Sequence, residues 1–269
     1  MKRRPLVLRM ILLLLSLVLL VTAAAGCETY SEGSRPTDEP PDTAPDMPTQ
    51  QTRKKRVALT FDDGPQYANE GANTVALVDA LQQYGFHATF FVVGNRVGNG
   101  SALRYAVEHG NEIGIHGYTH EHYYDSCTDS VYQNELERTR QAIVQAVPTY
   151  EVRLMRPVGG KISDRRIAES PYSVVMWSVD SNDWQHRYHP SDTPEEDAAT
   201  VAAIVDAVMA SVRDGSIILM HDIYQSTYDA TVILLQRLYE EGYDVVTVSE
   251  LFENSMMPGS VYREADPVL

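Results

Sequence analysis

The sequence predicts an α/β protein with one large domain of repeated βα units. From residue 57 onward, short runs of apolar, β-branched or aromatic residues alternate with segments of amphipathic helical periodicity. Glycines stand where a helix would end and the next strand would begin, at Gly85, Gly110, Gly215 and Gly242. This alternation favours parallel strands, arranged either as a barrel or as a doubly wound sheet.

The pattern places each element of this domain. Strands are predicted at residues 56–61, 88–93, 111–115, 152–156, 173–179, 216–220 and 244–248. Helices are predicted at residues 72–84, 101–109, 129–147, 161–169, 195–212 and 228–241. With 269 residues and 43% hydrophobic content the chain can bury a full core. We therefore expect one catalytic domain over residues 55–253, followed by a C-terminal tail over 254–269.

The N-terminal segment has the features of an export signal. Basic residues at 2–4 precede an almost wholly apolar stretch at 10–21, and small residues then lead to Cys27. Residues 1–26 resemble a bacterial lipoprotein signal, in which the cysteine becomes lipidated, and an uncleaved anchor helix or plain secretion are the alternatives. Each of these places the domain outside the cytoplasm. The Pro-, Thr- and Asp-rich residues 27–54 are predicted to form a disordered linker.

Charge and cysteine content exclude some partners. The formal charge is −15, and without residues 1–26 the chain has 18 basic against 37 acidic residues, a net charge of −19. A nucleic-acid partner is therefore excluded, and we expect a monomer. Cys127 and Cys27 are the two cysteines, so a disulfide would have to join the linker to the domain. We expect Cys127 to be an unpaired structural thiol.

Residues with catalytic chemistry follow the predicted strands at their carboxyl ends. They belong to segments after the first, third, fourth, fifth and sixth strands: Asp62-Asp63, His116, Arg156, Asp180 to Asp183, and His221. A (β/α) barrel builds its active site from the loops at this end of its strands. We therefore expect these side chains to converge.

The first two motifs have the composition of a metal site. His116 and His120, four residues apart, together with one carboxylate of Asp62-Asp63, provide the three protein ligands of a catalytic zinc site with an open fourth position. The other aspartate is then free to act as a base on the bound water. Gly64 is expected to bend the chain so that both carboxylates approach one centre. The alternative is an Asp-Gly-Pro turn whose carboxylate only satisfies turn amides.

A nearby histidine and an arginine segment complete this side of the predicted site. His122 is left out of the ligand set, because the shell is already complete without it. Arg156 is expected to keep the base, Asp62, ionised, because an adjacent cation lowers the pKa of a carboxyl group. The amide of Gly159 could face an oxyanion, the alternative being a glycine turn with a surface arginine.

His221 ends a very apolar strand, which favours a functional role over a structural one. As a general acid, it would need a carboxylate to orient it, and Asp183 is the candidate. Trp184 and Leu219 could wall a small apolar pocket, although both are equally suited to a core.

Together these segments resemble the polysaccharide deacetylase family, also called carbohydrate esterase family 4 or NodB-homology domains, over residues 56–252. The resemblance implies a distorted (β/α)7-type barrel that uses a divalent metal, zinc or alternatively cobalt or another ion, to remove N-acetyl groups from glycans. It also implies a role for each matching residue: Asp62 as base; Asp63, His116 and His120 as metal ligands; Arg156 as tether of Asp62; His221 as acid supported by Asp183; Trp184 and Leu219 as lining of the acetyl pocket.

The sequence departs from the family pattern at two places. Gly117 stands where the family commonly has Ser or Thr, which removes a hydroxyl that braces the histidine loop. Val158 and Gly159 replace the usual proline and aromatic residue after the arginine. The Gly159 amide survives, but we expect one wall of the groove to be more open.

The function that these features predict is metal-dependent deacetylation of a cell-envelope glycan. Export favours N-acetylglucosamine of peptidoglycan, with chito-oligosaccharides next. An O-acetyl esterase acting on a polymer such as xylan is one alternative, and a catalytically inactive glycan-binding module is another. A glycoside hydrolase is disfavoured, because it needs two carboxyl groups about 5–9.5 Å apart across the sugar bond.

Overall fold

The architecture is a parallel sheet covered by helices, seen in a computed structural model that describes residues 54–66 and 71–266. The strands in these residues are β1 (Lys55–Asp62), β2 (Thr89–Val92), β3 (Glu112–Ile115), β4 (Leu154–Met155), β5 (Ser173–Val175), β6 (Val179–Asp180), β7 (Ile217–His221), β8 (Tyr243–Val245) and β9 (Val261–Tyr262). The α-helices are α1 (Ala72–Gln82), α2 (Ser101–Glu108), α3 (Asp129–Ala146), α4 (Asp164–Ala168), α5 (Pro194–Met209), α6 (Gln225–Glu240) and α7 (Val248–Leu251).

Predictions for the N-terminal segment concern residues outside these ranges. They include the signal over residues 1–26, lipid attachment at Cys27 and nearly all of the linker. Within the described residues, no helix combines the length and apolar character needed to cross a bilayer. The Cys127 thiol is half-buried and accepts a hydrogen bond from a guanidinium N–H of Arg166 at 3.2 Å.

The sheet is bent into a barrel, and two strands from opposite sides of it, β5 and β6, follow each other directly in the chain. β1 pairs with β2 on one side and β7 on the other, its first residues also pair with β8, and the order is β6-β7-β1-β2-β3-β4-β5-β9. β5 pairs with β4 whereas β6 pairs with β7, and residues 176–178 alone separate β5 from β6. The predicted distorted barrel is therefore confirmed.

Two predicted strands differ in extent. The predicted strand 173–179 is interrupted, because the chain changes partner between β5 and β6. The predicted strand 244–248 ends early, because Thr247 caps α7. Its hydroxyl accepts from the N–H of Glu250, whose carboxylate accepts from the N–H of Thr247.

β9 lies within the segment that we expected to be a C-terminal tail. It pairs in parallel with β5, at Val174↔Val261 and Val175↔Tyr262. Beyond it, Glu264 forms an antiparallel bridge with Ser216. The folded domain thus continues past residue 253.

The side chains of β1 point alternately to the core under the helices and to the interior of the barrel. Val57, Leu59 and Phe61 belong to the large cluster that packs under the helices, whereas Ala58 belongs to a smaller cluster with Phe91, Leu154, Val175, Ile217 and α7. Because side chains alternate along a strand, Thr60 and Asp62 lie on the same face as Ala58. Asp62 is thereby placed at the top of the barrel interior.

We expect a chain that ends at Glu253 to lose roughly 2–4 kcal/mol of unfolding free energy. The physical reason is the loss of backbone hydrogen bonds that join the segment to the sheet: Val174 N to Ser260 O at 2.9 Å, Met176 N to Tyr262 O at 2.8 Å and Ala265 N to Gly215 O at 2.8 Å. Denaturant unfolding of this chain, beside a control that ends at Asp266, measures the effect. Equal midpoints would show that β9 adds nothing to stability.

Candidate metal centre and active site

Asp63, His116 and His120 converge at the carboxyl end of the barrel strands. Nε2 of His116 and Nε2 of His120 lie 3.4 and 2.9 Å from Oδ1 of Asp63. One donor atom from each residue lies within 4.8 Å of the other two. Oδ1 of Asp63 is buried, and no N–H or O–H of the described residues points at it with hydrogen-bond geometry. Three donor atoms of the types that bind zinc therefore lie close together, so the residues fit a divalent cation.

A hydrogen bond at its other ring nitrogen fixes the orientation of His116. Its Nδ1 lies 2.9 Å from the carbonyl oxygen of Arg156. Because that oxygen can only accept, Nδ1 carries the proton and the Nε2 lone pair is left for a metal. The ring is buried, so this hydrogen bond sets both its tautomer and its direction.

Two of the metal-facing residues have left-handed backbones. Asp63 has φ 73° and His120 has φ 65°. Such conformations are costly for residues other than glycine and persist where surrounding contacts hold them. One such contact is a guanidinium N–H of Arg96, which donates to the carbonyl of Asp63 at 2.7 Å. The bend predicted at Gly64 is therefore made at Asp63.

Gly64 is needed for a different reason from the one expected: a side chain at this position would collide with Asp222. A Cβ at this position would lie 2.2 Å from both carboxylate oxygens of Asp222. Asp222 is buried beneath it, accepts a hydrogen bond from the Thr74 hydroxyl at 2.5 Å, and has a second oxygen without a donor among the described residues. Burial raises the pKa of Asp222 to about 7.

Electrostatics at the metal-facing residues favour a positive charge. Burial opposes ionisation of Asp63, but the imidazoles of His116 and His120 outweigh it and hold its pKa far below the usual range. Burial likewise opposes charge on His116, yet Asp62 and Asp63 raise its pKa above the ordinary value. Protonation of the imidazoles and binding of a divalent cation would each supply positive charge beside these carboxylates.

Arg156 holds Asp62 in the barrel interior. The guanidinium is completely buried and its Nη1 donates to Oδ1 of Asp62 at 2.8 Å and to the Thr60 hydroxyl at 2.7 Å. Burial lowers the pKa of Arg156, against the effect of Asp62, but an arginine stays charged in a protein. Oδ2 of Asp62 lies 3.6 Å from Nε2 of His116. One oxygen is thus tethered while the other faces the metal-ligating atoms.

His221, the last residue of β7, forms a second buried pair with Asp183, which lies in the turn after β6. Nδ1 of His221 lies 2.8 Å from Oδ1 of Asp183, and the His221 amide donates to Oδ2 at 2.7 Å. The Thr227 hydroxyl donates to the same oxygen at 2.7 Å. Burial opposes protonation of the imidazole, but Asp183 raises the pKa of His221 to about 9. His221 stands directly opposite Asp62 in the strand register.

The remaining predicted residues, Leu219, Trp184 and Gly159, each lie within three residues of a side chain described above. Leu219 is buried on β7, two residues before His221 and therefore on the same face. Trp184 is 48% exposed and directly follows Asp183. Gly159 lies in an exposed turn with φ 60°, three residues after Arg156. The metal-facing group found in the described residues consists of Asp63, His116 and His120 and does not include His122.

Glu135 is a site residue that the sequence reasoning missed. This buried carboxylate on α3 accepts the N–H of Tyr118 at 2.7 Å and the N–H of Thr119 at 3.0 Å through Oε2. Its Oε1 accepts the Thr119 hydroxyl at 3.0 Å. Gly117 has φ 82°, and a Cβ there would lie 3.2 Å from Oε2 of Glu135. The histidine loop is therefore braced from α3, in place of the hydroxyl missing at 117.

A signal for Glu135 was present in the sequence. α3 buries Tyr132, Leu136, Thr139 and Ile143 along one face, and Glu135 is the one carboxylate on it. Charged residues are rarely buried unless they are paired or hydrogen-bonded. An acidic residue on an otherwise apolar helical face therefore indicates a specific partner.

The fold and the site define a parallel barrel protein with the residue set of a metal-dependent hydrolase. The sequence model described as Polysaccharide deacetylase matches residues 49–172. The chitooligosaccharide deacetylase of Sinorhizobium fredii (strain NBRC 101917 / NGR234) is 35% identical over 180 residues, covering 65% of this chain and 76% of that protein. The chain belongs to the polysaccharide deacetylase family.

Other relatives agree with this assignment. The peptidoglycan-N-acetylglucosamine deacetylase PgdA of Listeria monocytogenes serotype 1/2a (strain 10403S) is 32% identical over 219 residues, or 81% of this chain. The match spans 43% of the length of PgdA. The solved structure of the peptidoglycan deacetylase PdaC from Bacillus subtilis is 34% identical, with a TM-score of 0.65 over 74% of this chain and 91% of that chain.

Replacing Glu135 with alanine should weaken zinc binding by about 10- to 100-fold, because the loop between His116 and His120 loses its brace. Competition with a chromophoric chelator measures the dissociation constant. Glu137→Gln is the matched control, since Glu137 lies on the same helix but pairs with Arg140 at the surface. A lower melting temperature with an unchanged zinc dissociation constant would contradict this role for Glu135.

Proposed function

We propose that this protein is a metal-dependent deacetylase that removes N-acetyl groups from a glycan of the cell envelope. The observation that carries the proposal is Asp62, which is tethered by Arg156 on one oxygen and faces the metal-ligating residues with the other. His221 on the neighbouring strand supplies an acid at the same end of the barrel. No simple binding protein needs a base, an acid and a metal site together.

Peptidoglycan N-acetylglucosamine is the first substrate that we propose, and chito-oligosaccharide is the second. The names of PgdA and of the Sinorhizobium relative indicate these two polymers. Export by residues 1–26 and lipid attachment at Cys27 would place the domain at the envelope, outside the cytoplasm. Both polymers present the same acetamide, so one site can serve either.

Zinc is the metal that we propose, with cobalt or another divalent ion as the alternative. Asp63, His116 and His120 would hold it, and their oxygen and nitrogen donors suit zinc. When bound, the ion would polarise the acetamide carbonyl and lower the pKa of a water molecule.

The chain's own residues then move the protons. Asp62, held in place by Arg156, accepts a proton from the attacking water as the new C–O bond forms. The amide of Gly159 donates to the oxyanion. His221, held in its protonated form by Asp183, donates to the departing nitrogen as the C–N bond breaks. Acetate and a glucosamine residue are the products.

Acetate release tests the proposal. We expect the protein with zinc to release acetate from peptidoglycan and from chitopentaose, and we expect chelator or Asp62→Asn to lower the rate by at least about 100-fold. An enzymatic acetate assay on each polymer measures this. Binding without release would favour the inactive glycan-binding module, and release from acetylated xylan alone would favour the esterase.

The pH dependence of deacetylation should show an alkaline limb near or below pH 9. His221 must be protonated to act as the acid, and its pKa is raised to about 9. A cation bound at Asp63 moves this limb to lower pH. Asp183→Asn should shift the limb further down, because it removes the charge that raises the pKa. A limb that does not move in this variant would exclude His221 as the acid.

The same pair has a consequence for stability. The folded-state pKa of His221 exceeds its ordinary value of 6.5. Its contribution to stability is therefore fully present below about pH 6.5 and is lost as the pH rises through about 9. Unfolding midpoints of the wild type and Asp183→Asn should approach each other above that pH.

A further inference from the structure

An exposed aromatic ring lies against the turn that carries Gly159. Tyr123 is 47% exposed. A Cβ added to Gly159 would lie 3.3 Å from Cε1 and 3.8 Å from Cδ1 of the Tyr123 ring. The ring therefore borders the space that a side chain at position 159 would occupy. The more open wall at Gly159 stays a prediction, and the Tyr123 ring is the neighbour that lies beside this position.

The backbone that carries Tyr123 is firmly held. The next residue, Tyr124, is completely buried, and its N–H donates to the carbonyl of Lys161 at 2.9 Å. The carbonyl of Tyr124 accepts from a guanidinium N–H of Arg166 at 2.7 Å, and Tyr124 forms a parallel bridge with Ile162. An exposed ring on such a backbone can bind a ligand at little cost in conformational entropy.

The Tyr123 ring also contacts a cation. The ammonium of Lys161 lies 4.3 Å from the centroid of the Tyr123 ring. This cation–π contact orients the ring while the side chain remains half exposed. Since the chain after His120 and the chain after Arg156 meet at Tyr123 and Gly159, the ring stands beside the proposed oxyanion donor.

We propose that Tyr123 is a stacking platform for a pyranose ring of the glycan, beside the acetamide that is hydrolysed. This inference rests on the proposed function and adds the residue that recognises the polymer. Aromatic rings offer a large, rigid apolar surface with a polar tip, which matches the C–H-rich face and hydroxyl rim of a sugar. Tyr123 is thus a specificity residue for substrates of several sugars.

The test separates sugar binding from the acetyl chemistry. Chitopentaose presents sugar rings to the platform, whereas 4-nitrophenyl acetate presents an acetyl group alone. We expect Tyr123→Leu to raise KM for chitopentaose by about three- to tenfold, with kcat within about twofold of the wild type. Hydrolysis of 4-nitrophenyl acetate should be unchanged. Tyr123→Phe, which keeps the ring, should retain the wild-type KM.

A second exposed tyrosine supplies the matched control. Tyr239 on α6 is 56% exposed and packs against Tyr84 and Phe86, away from the catalytic residues. Tyr239→Leu should leave KM for chitopentaose unchanged. If Tyr123→Leu also leaves it unchanged, or lowers the rates on both substrates together with the melting temperature, the platform is disproved and Tyr123 is structural.

A direct binding measurement distinguishes failure of this inference from failure of the proposed function. Absence of acetate release from the zinc-loaded wild type would overturn the proposed function. Isothermal titration of the same protein with chitopentaose still reports on the platform. Binding that Tyr123→Leu weakens by about three- to tenfold supports it. Equal binding by both proteins, or no binding by either, overturns it.

Discussion

The buried guanidinium of Arg156 is the group on which both the barrel and the active site depend. It donates to Asp62 and Thr60 on β1, and to the carbonyls of Val175 and Met176, where the chain leaves β5 for β6. The same side chain therefore links the centre of the sheet to the point where the barrel closes. Removing one partner of such a buried pair typically costs about 3–5 kcal/mol, because the other charge is left without compensation. The contact at the β5–β6 junction and the position of the Asp62 carboxylate therefore depend on one side chain.

The metal-ligating residues depend on this group through the main chain. The carbonyl of Arg156 accepts from Nδ1 of His116, while its side chain fixes the Asp62 carboxylate. The proposed base and one candidate metal ligand are thus positioned by the same residue. The second histidine lies on a loop held by Glu135, so the geometry of the site is shared between the barrel interior and α3. Ligands fixed in this way bind a cation without paying for rearrangement.

The sequence predicted what local pattern and strand order can encode. The repeated βα units and the polar residues at strand ends could be predicted from the periodicity. Because active-site residues of a (β/α) barrel lie at the carboxyl ends of its strands, the same pattern predicted that Asp62, Asp63 and His116 lie at one edge. The division between β5 and β6 depends on a change of pairing partner that no local pattern records. β9 spans only Val261–Tyr262, too short for a period of two to be visible. The left-handed backbone at Asp63 depends on contacts with distant residues such as Arg96, so the bend was assigned to the adjacent glycine.

The two glycines that depart from the family pattern have a common physical consequence. A glycine frees volume and permits positive φ, and at both positions a side chain from elsewhere lies at the freed space. Glu135 approaches Gly117 and binds the histidine loop, whereas the ring of Tyr123 lies against Gly159. Relative to the family pattern this sequence lacks a hydroxyl at 117 and an aromatic ring at 159, and the carboxylate of Glu135 and the ring of Tyr123 lie at these two places. Protein interiors are closely packed, and an unfilled space loses van der Waals contacts on every side. A side chain from a distant residue can therefore take the place of a side chain that is missing locally.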